Sequence, residues 1–62
     1  MKRHELISHL KREGCQLERE GGRHTIYLNP ANGAKVPVPR HAEIENRLAR
    51  KICQQLLIEP IR

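Results

Sequence analysis

A histidine, His24, stands at the opening of the most strand-like stretch of the chain. It follows two glycines and Arg23, and residues 25–28 then alternate in the manner of a β-strand. Histidine suits proton transfer because its unperturbed pKa of about 6.5 lies close to physiological pH. A side chain at the mouth of a β-hairpin is held by the sheet yet reaches solvent, so His24 is a candidate general acid or base. The same placement is also typical of a solvated edge histidine that has no catalytic role.

Length and composition predict one small domain, residues 1–62, with a modest core. A domain of 62 residues buries only about 60% of the surface that its unfolded chain exposes. Phe and Trp are absent and Tyr27 is the single aromatic residue, so the core must come from Leu, Ile, Val and Ala. The sequence shows no signal peptide and no long apolar run, so we expect a cytoplasmic protein without a membrane segment.

The chain is strongly basic. Lysine and arginine outnumber aspartate and glutamate by 12 to 7, which gives a net charge of +5 and a pI near 9.9. This excess favours a polyanionic or acidic partner, although a soluble domain with many exposed basic side chains accounts for it equally well.

The two cysteines predict no metal site. Neither Cys15 nor Cys53 belongs to a Cys-x-x-Cys pair, and no nearby histidine completes a zinc spacing. Both fall at positions that suit small core residues, and we expect reduced thiols rather than a disulfide.

The first part of the chain predicts a helix and a strand. Residues 2–13 contain no Pro or Gly and carry a narrow apolar stripe, and Gly14 suits the left-handed position that ends a helix. Residues 15–20 alternate as a half-buried strand, with Cys15 and Leu17 on its inner face. A glycine pair then predicts a hairpin turn.

The central strand and the turn after it follow. In residues 25–28 we expect Ile26 and Leu28 to face the core and Tyr27 to face away from it. Residues 29–33, Asn-Pro-Ala-Asn-Gly, have the composition of a tight turn.

The last two elements are a strand and a long helix. Residues 35–38 predict an edge strand with both valines inward, because Pro37 cannot donate to a ladder. Residues 42–57 predict a helix with apolar residues every four positions and a Glu43–Arg47 pair in its first turns.

The predicted fold class is therefore α+β. The elements run α-β-β-β-α, with a three-stranded antiparallel sheet and both helices on one face. The other face of the sheet is then open, and on this pattern it carries Gln16, Glu18, Thr25, Tyr27 and Lys35.

This order and its motifs resemble the HicA family, small toxins of bacterial toxin–antitoxin pairs. The resemblance spans almost the whole chain and is carried by Glu5-Leu6-Ile7 with Leu10, by Gly14, by Gly22-Arg23-His24 with Tyr27, and by Val38-Pro39-Arg40-His41. It implies a fold like a double-stranded-RNA-binding domain and cleavage of messenger RNA without a metal or small-molecule cofactor. It also implies a HicB-like antitoxin that covers the active surface. The family's catalytic histidine falls on His24, and Arg23 stands where the family commonly has serine.

Cleavage of RNA defines what the neighbouring side chains would have to do. The 2′-hydroxyl must lose its proton, negative charge must be stabilised at phosphorus, and the leaving 5′-oxygen must gain a proton. His24 is the candidate for proton transfer, and Arg23, Lys35 and Arg40 are candidates for RNA contact. His41 could bind phosphate, assist His24 or cap the second helix, and Tyr27 could stack on a base. These residues make up the predicted site.

Two other functions fit the same residues. A non-catalytic RNA-binding module would bind RNA in a salt-dependent way and leave it intact, with little effect of His24→Ala. A protein-interaction domain would use its positive surface for a protein partner alone and would bind no RNA at moderate salt.

Overall fold

A helix, three antiparallel strands and a second helix follow one another in a computed structural model that describes residues 1–61. The elements are α1 (Arg3–Arg12), β1 (Gln16–Glu20), β2 (His24–Asn29), β3 (Ala34–Pro39) and α2 (Asn46–Gln55). The strands lie side by side in the order β1-β2-β3, and every pairing is antiparallel. Residues from both helices join one face of the sheet in a single apolar cluster. The predicted α+β class and element order are confirmed.

Helix α1 begins and ends as its sequence predicts. The Glu5 carboxylate accepts a hydrogen bond from the backbone N–H of Lys2 at 3.1 Å, which satisfies a donor at the start of the helix. At the other end Gly14 takes a φ of +91°. The N–H of the residue after it then reaches back to the Leu10 carbonyl at 2.9 Å, so the helix ends in a Schellman motif. Leu6 and Leu10 are fully buried beneath it.

Strands β2 and β3 confirm the predicted turn and edge. Gly33 has a φ of +77°, and its N–H donates to the Asn29 carbonyl at 2.8 Å to close the turn. Val36 and Val38 are both buried, and Pro37 lies on the edge strand as expected.

The prediction of which face of β2 is buried is wrong. Tyr27 is only 4% exposed and Thr25 is equally buried, while Ile26 and Leu28 are half-buried on the open face. The cause is the register, which places Tyr27 directly opposite the inward-facing Val36 of β3. Paired residues share a face of the sheet, and a slip of one position exchanges the two faces. The phenol ring of Tyr27 is therefore part of the core.

Strand β1 is exposed along its whole length, not half-buried. A bulge between Leu17 and Arg19 breaks the alternation that the sequence suggested. Leu17 is 49% exposed, and Cys15 is buried just before the strand begins.

Helix α2 begins at Asn46, four residues later than predicted. The preceding segment is not helical and pairs with the start of the chain. The N–H of Arg3 donates to the Ala42 carbonyl at 2.8 Å, and Lys2 and Glu43 form an antiparallel bridge. Glu43 consequently meets the Lys2 ammonium at 3.3 Å, so the predicted pair with Arg47 does not form.

The core lies between the two helices and the inner face of the sheet. Both cysteines are buried in it as free thiols, as predicted, and burial raises the pKa of each thiol. Its members are Leu6, Leu10, Cys15, Tyr27, Val36, Val38, Ile44, Ala49, Ile52, Cys53 and Leu56.

Candidate active site

The backbone of His24 is held by hydrogen bonds of the sheet and the turn, whereas its side chain is exposed to solvent. It is the first residue of β2, where it pairs with Pro39 of β3, and its carbonyl accepts the N–H of Gly21 at 2.8 Å. A Cβ at Gly21 would lie 3.0 Å from that same carbonyl oxygen, so a larger residue there would have to displace it by a few tenths of an ångström. The imidazole is exposed. A rigid backbone under an accessible imidazole is the arrangement that proton transfer to a bound substrate requires.

Three of the predicted RNA-contact residues lie at the same end of the sheet as His24. Arg23 precedes it in the hairpin turn, and Arg40 and His41 follow its cross-strand partner Pro39. All three of these side chains are exposed.

Arg40 is anchored to the hairpin turn and not to a helix end. Its Nη2 atom donates to the Gly21 carbonyl at 2.6 Å and lies 4.0 Å from the Glu20 carboxylate. Because α2 begins only at Asn46, neither Arg40 nor His41 stands at its N-terminus. Of the three roles considered for His41, capping of α2 is therefore excluded. Arg40 instead ties the end of β3 to the turn that carries His24.

The structure separates Lys35 and Tyr27 from this end of the sheet. Lys35 pairs with Leu28, four positions from the His24–Pro39 pair and therefore roughly 13 Å away along the strands. Its ammonium lies 2.8 Å from the Glu18 carboxylate. Tyr27 is buried, which leaves no ring face for a base and raises the pKa of its phenol by desolvation, although the nearby Arg3 lowers that pKa. Its predicted stacking role is wrong.

Arg3 supports the site in a way that the sequence does not reveal. Its Nε atom donates to the Pro39 carbonyl at 2.7 Å, and its Nη2 atom donates to the Thr25 hydroxyl at 3.1 Å. The guanidinium thus links Thr25, which follows His24 on β2, to Pro39, which pairs with His24 on β3. In the sequence Arg3 is one of several cations on a helix, and its partners lie 22 and 36 positions away.

A groove leads from His24 across the edge of β3 to α2. It has a volume of about 300 Å³, with Pro37 and Pro39 on one side and Leu48, Lys51 and Gln55 on the other. Leu48 is 37% exposed, so the groove has an accessible apolar wall. The site is therefore an exposed histidine, cations around a hairpin turn, and an adjoining cleft.

Within residues 1–61 no three His, Cys, Asp or Glu side chains are arranged to hold a metal ion. None of the helices described there is long and apolar enough to cross a membrane.

Comparison with known proteins identifies a family. The family model for the HicA toxin of bacterial toxin–antitoxin pairs matches residues 3–58, which is nearly the whole chain. No curated protein and no solved structure gives a significant match.

Proposed function

The chain belongs to the HicA family of bacterial toxins, and we propose that it is an endoribonuclease that cleaves messenger RNA with His24 as general acid or base. The observation that carries this proposal is the exposed imidazole of His24, which stands on a backbone held by Pro39 and Gly21. The family supports the toxin role, and the geometry of the hairpin supports the chemistry.

RNA supplies its own nucleophile, so the protein has few chemical tasks. The 2′-hydroxyl attacks the neighbouring phosphorus, the bond to the 5′-oxygen breaks, and a proton moves away from the first oxygen and onto the second. His24 moves one of these protons. Arg23 and Arg40, at the same end of the sheet, supply positive charge for the phosphorus centre, and His41 contacts the backbone of the RNA.

The test is an RNA cleavage assay, run with and without EDTA, of the parent protein, His24→Ala and His4→Ala. His4 is the matched control because it is an exposed histidine on α1 that has no role in the proposed site. We expect cleavage by the parent and by His4→Ala, and a loss of about 100-fold or more in His24→Ala.

Each of the other results selects a different conclusion. Equal cleavage by the parent and His24→Ala would reject the role of His24. Intact RNA in every lane, with binding retained, would favour the non-catalytic RNA-binding module, and Arg23→Ser would then be the first variant to examine. Cleavage that occurs without EDTA and stops when EDTA is added would show that the reaction needs a metal ion and would reject the metal-independent mechanism.

We also propose a HicB-like antitoxin as the protein partner, as expected for a toxin of such a pair. Its binding would cover the exposed His24 and the cations beside it. A HicB-like protein should therefore inhibit RNA cleavage in proportion to the amount added, and its acidic residues should lie against Arg23 and Arg40.

A further inference from the structure

The groove beside His24 combines apolar walls with polar side chains. Its wall on β3 is formed by Val36, Pro37 and Pro39, and its wall on α2 includes the exposed side of Leu48. Two polar side chains, Lys51 and Gln55, stand on the same helix at the groove. Small-molecule sites commonly combine apolar walls with a few polar groups, and about 300 Å³ is at the small end of their range.

The charge of α2 indicates that the occupant is an anion. The helix carries Arg47, Arg50 and Lys51 and contains no acidic residue. No ion pair among residues 1–61 involves any of these three cations, whereas Lys2, Lys35 and Arg40 each meet a carboxylate. Only Arg47 and Lys51 line the groove or the depression next to it, whereas Arg50 lines a different depression. Exposed cations such as these two are the usual contacts of a phosphate backbone.

A second depression adjoins the groove on α2. It has a volume of about 310 Å³, shares Leu48 and Lys51 with the groove, and is also lined by Arg47 and by the acidic Glu45. A nucleic-acid strand could thus run from the His24 imidazole over β3 and then along α2, with its phosphates towards Lys51 and Arg47.

We propose that this groove binds the nucleotide next to the scissile phosphate of a single-stranded RNA. Its base lies against the two proline rings and Leu48, the Lys51 ammonium contacts its phosphate, and the Gln55 amide donates to and accepts from the edge of its base. The proposal rests on the ribonuclease function proposed above and adds to it a binding site and a source of base preference.

The binding test uses His24→Ala as the background, so that the RNA stays intact. In that background the affinity of a ten-nucleotide single-stranded RNA of mixed sequence is compared for Lys51→Gln and Arg50→Gln. The two substitutions remove the same charge from adjacent positions, but Arg50 lines a different depression with Gln54, Ile58 and Pro60. We expect Lys51→Gln to raise the Kd about fivefold and Arg50→Gln to raise it less than about twofold. Equal losses would overturn the proposal, because net charge alone would explain them.

The base preference is tested in the active protein with a second matched pair. Gln55→Leu and Gln54→Leu replace neighbouring amides, of which only Gln55 lies at the groove beside His24. Mapping of cleavage sites on one transcript should show a changed base at a position next to the cut for Gln55→Leu and an unchanged pattern for Gln54→Leu. If both variants cleave at the same sites as the parent, Gln55 does not determine the base preference.

The two proposals fail separately. If the parent protein does not cleave RNA, the ribonuclease function is wrong, and the binding comparison between Lys51 and Arg50 still decides whether the groove holds RNA. If the parent cleaves RNA and His24→Ala does not, the ribonuclease function stands. If Lys51→Gln and Arg50→Gln then bind RNA equally well, only the proposal that the groove binds a nucleotide is wrong.

Discussion

At the residue scale, Arg3 stabilises the end of the sheet that carries His24. The guanidinium donates to a backbone carbonyl at Pro39 and to the Thr25 hydroxyl, and Thr25 is only 4% exposed. Removing the guanidinium leaves both acceptors without their partner in a partly buried place. Hydrogen bonds from a charged donor contribute about 1.5–3 kcal/mol each, and unpaired groups cost a comparable amount.

We therefore predict that Arg3→Met lowers the free energy of unfolding by about 2 kcal/mol. Methionine keeps most of the length and apolar surface of the side chain, so the loss reports the hydrogen bonds. Urea denaturation measures it, with Arg12→Met as control because Arg12 lies exposed at the other end of the same helix. Equal stabilities of the two variants would show that the Arg3 contacts contribute nothing measurable.

The two buried thiols predict how stability depends on alkaline pH. Burial raises the pKa of both Cys15 and Cys53, and a coulombic contribution from Cys53 raises that of Cys15 further. Unfolded thiols lose their protons near their ordinary pKa of about 8.5, while the folded ones keep theirs to higher pH. The stabilisation is thus complete below about pH 8.5 and is lost as the pH rises towards the folded pKa values.

Denaturation at a series of pH values should show this loss of stability above about pH 8.5. A Cys15→Ala, Cys53→Ala double variant is less stable at neutral pH, but its stability should fall less steeply over the same alkaline range. If the stability of the double variant falls as steeply with pH as that of the parent, the loss of stability at alkaline pH comes from other groups. One such group is Tyr27, whose phenol pKa is also raised.

At the scale of elements, α2 ends in a conformation that its sequence does not favour. Leu57 has a φ of +59°, and its N–H and that of Ile58 reach back to the carbonyls of Gln54 and Cys53 at 3.1 Å each. This is the same Schellman ending that Gly14 provides for α1, but here the left-handed position carries a Cβ. A left-handed conformation costs an ordinary residue roughly 1–2 kcal/mol.

Leu57→Gly should accordingly raise the free energy of unfolding by about 1 kcal/mol, after the greater entropy of glycine in the unfolded chain is allowed for. Little packing is lost, because Leu57 is 71% exposed. Leu57→Ala is the control: it shortens the side chain but keeps the Cβ, so thermal denaturation should show no comparable gain. A gain of equal size in both variants would point to removal of exposed apolar surface instead.

Elements defined by local sequence could be predicted, and features set by distant pairing could not. The extent of α1 follows from its apolar stripe and Gly14, and the turn at Gly33 follows from residue types that favour positive φ. The buried face of β2 depends on its register with β3, which no single strand encodes. The start of α2 depends on pairing with residues about forty positions earlier, so its first four predicted residues are not helical.

The candidate site divides in the same way. His24 and Arg23 lie in one short motif, and their place at the hairpin follows from the glycines before them. Lys35 and Tyr27 are a cation and an aromatic residue that suit RNA contact by type. The strand register separates Lys35 from His24, and burial removes Tyr27 from the surface. Arg3 and the groove at Lys51 depend on contacts between elements, for which the sequence contains no local signal.

At the scale of the whole molecule, positive charge is distributed unevenly. The net charge is +5, yet several cations are neutralised by neighbouring carboxylates, among them Lys35 by Glu18. Arg23 is exposed beside His24, and no ion pair within residues 1–61 involves it. RNA should therefore be attracted more strongly to Arg23 than to Lys35, whose charge Glu18 already balances.

The salt dependence of RNA binding tests this distribution. Each phosphate neutralised on a single strand contributes about 0.7 to the slope of log Kd against log salt concentration. In a His24→Ala background, Arg23→Gln should reduce that slope by about 0.7, whereas Lys35→Gln should leave it unchanged although it removes the same net charge. Titration of a short single-stranded RNA between low and moderate salt gives both slopes. Equal reductions would mean that the RNA senses only the total charge, and the preference for the His24 end of the molecule would then have to be abandoned.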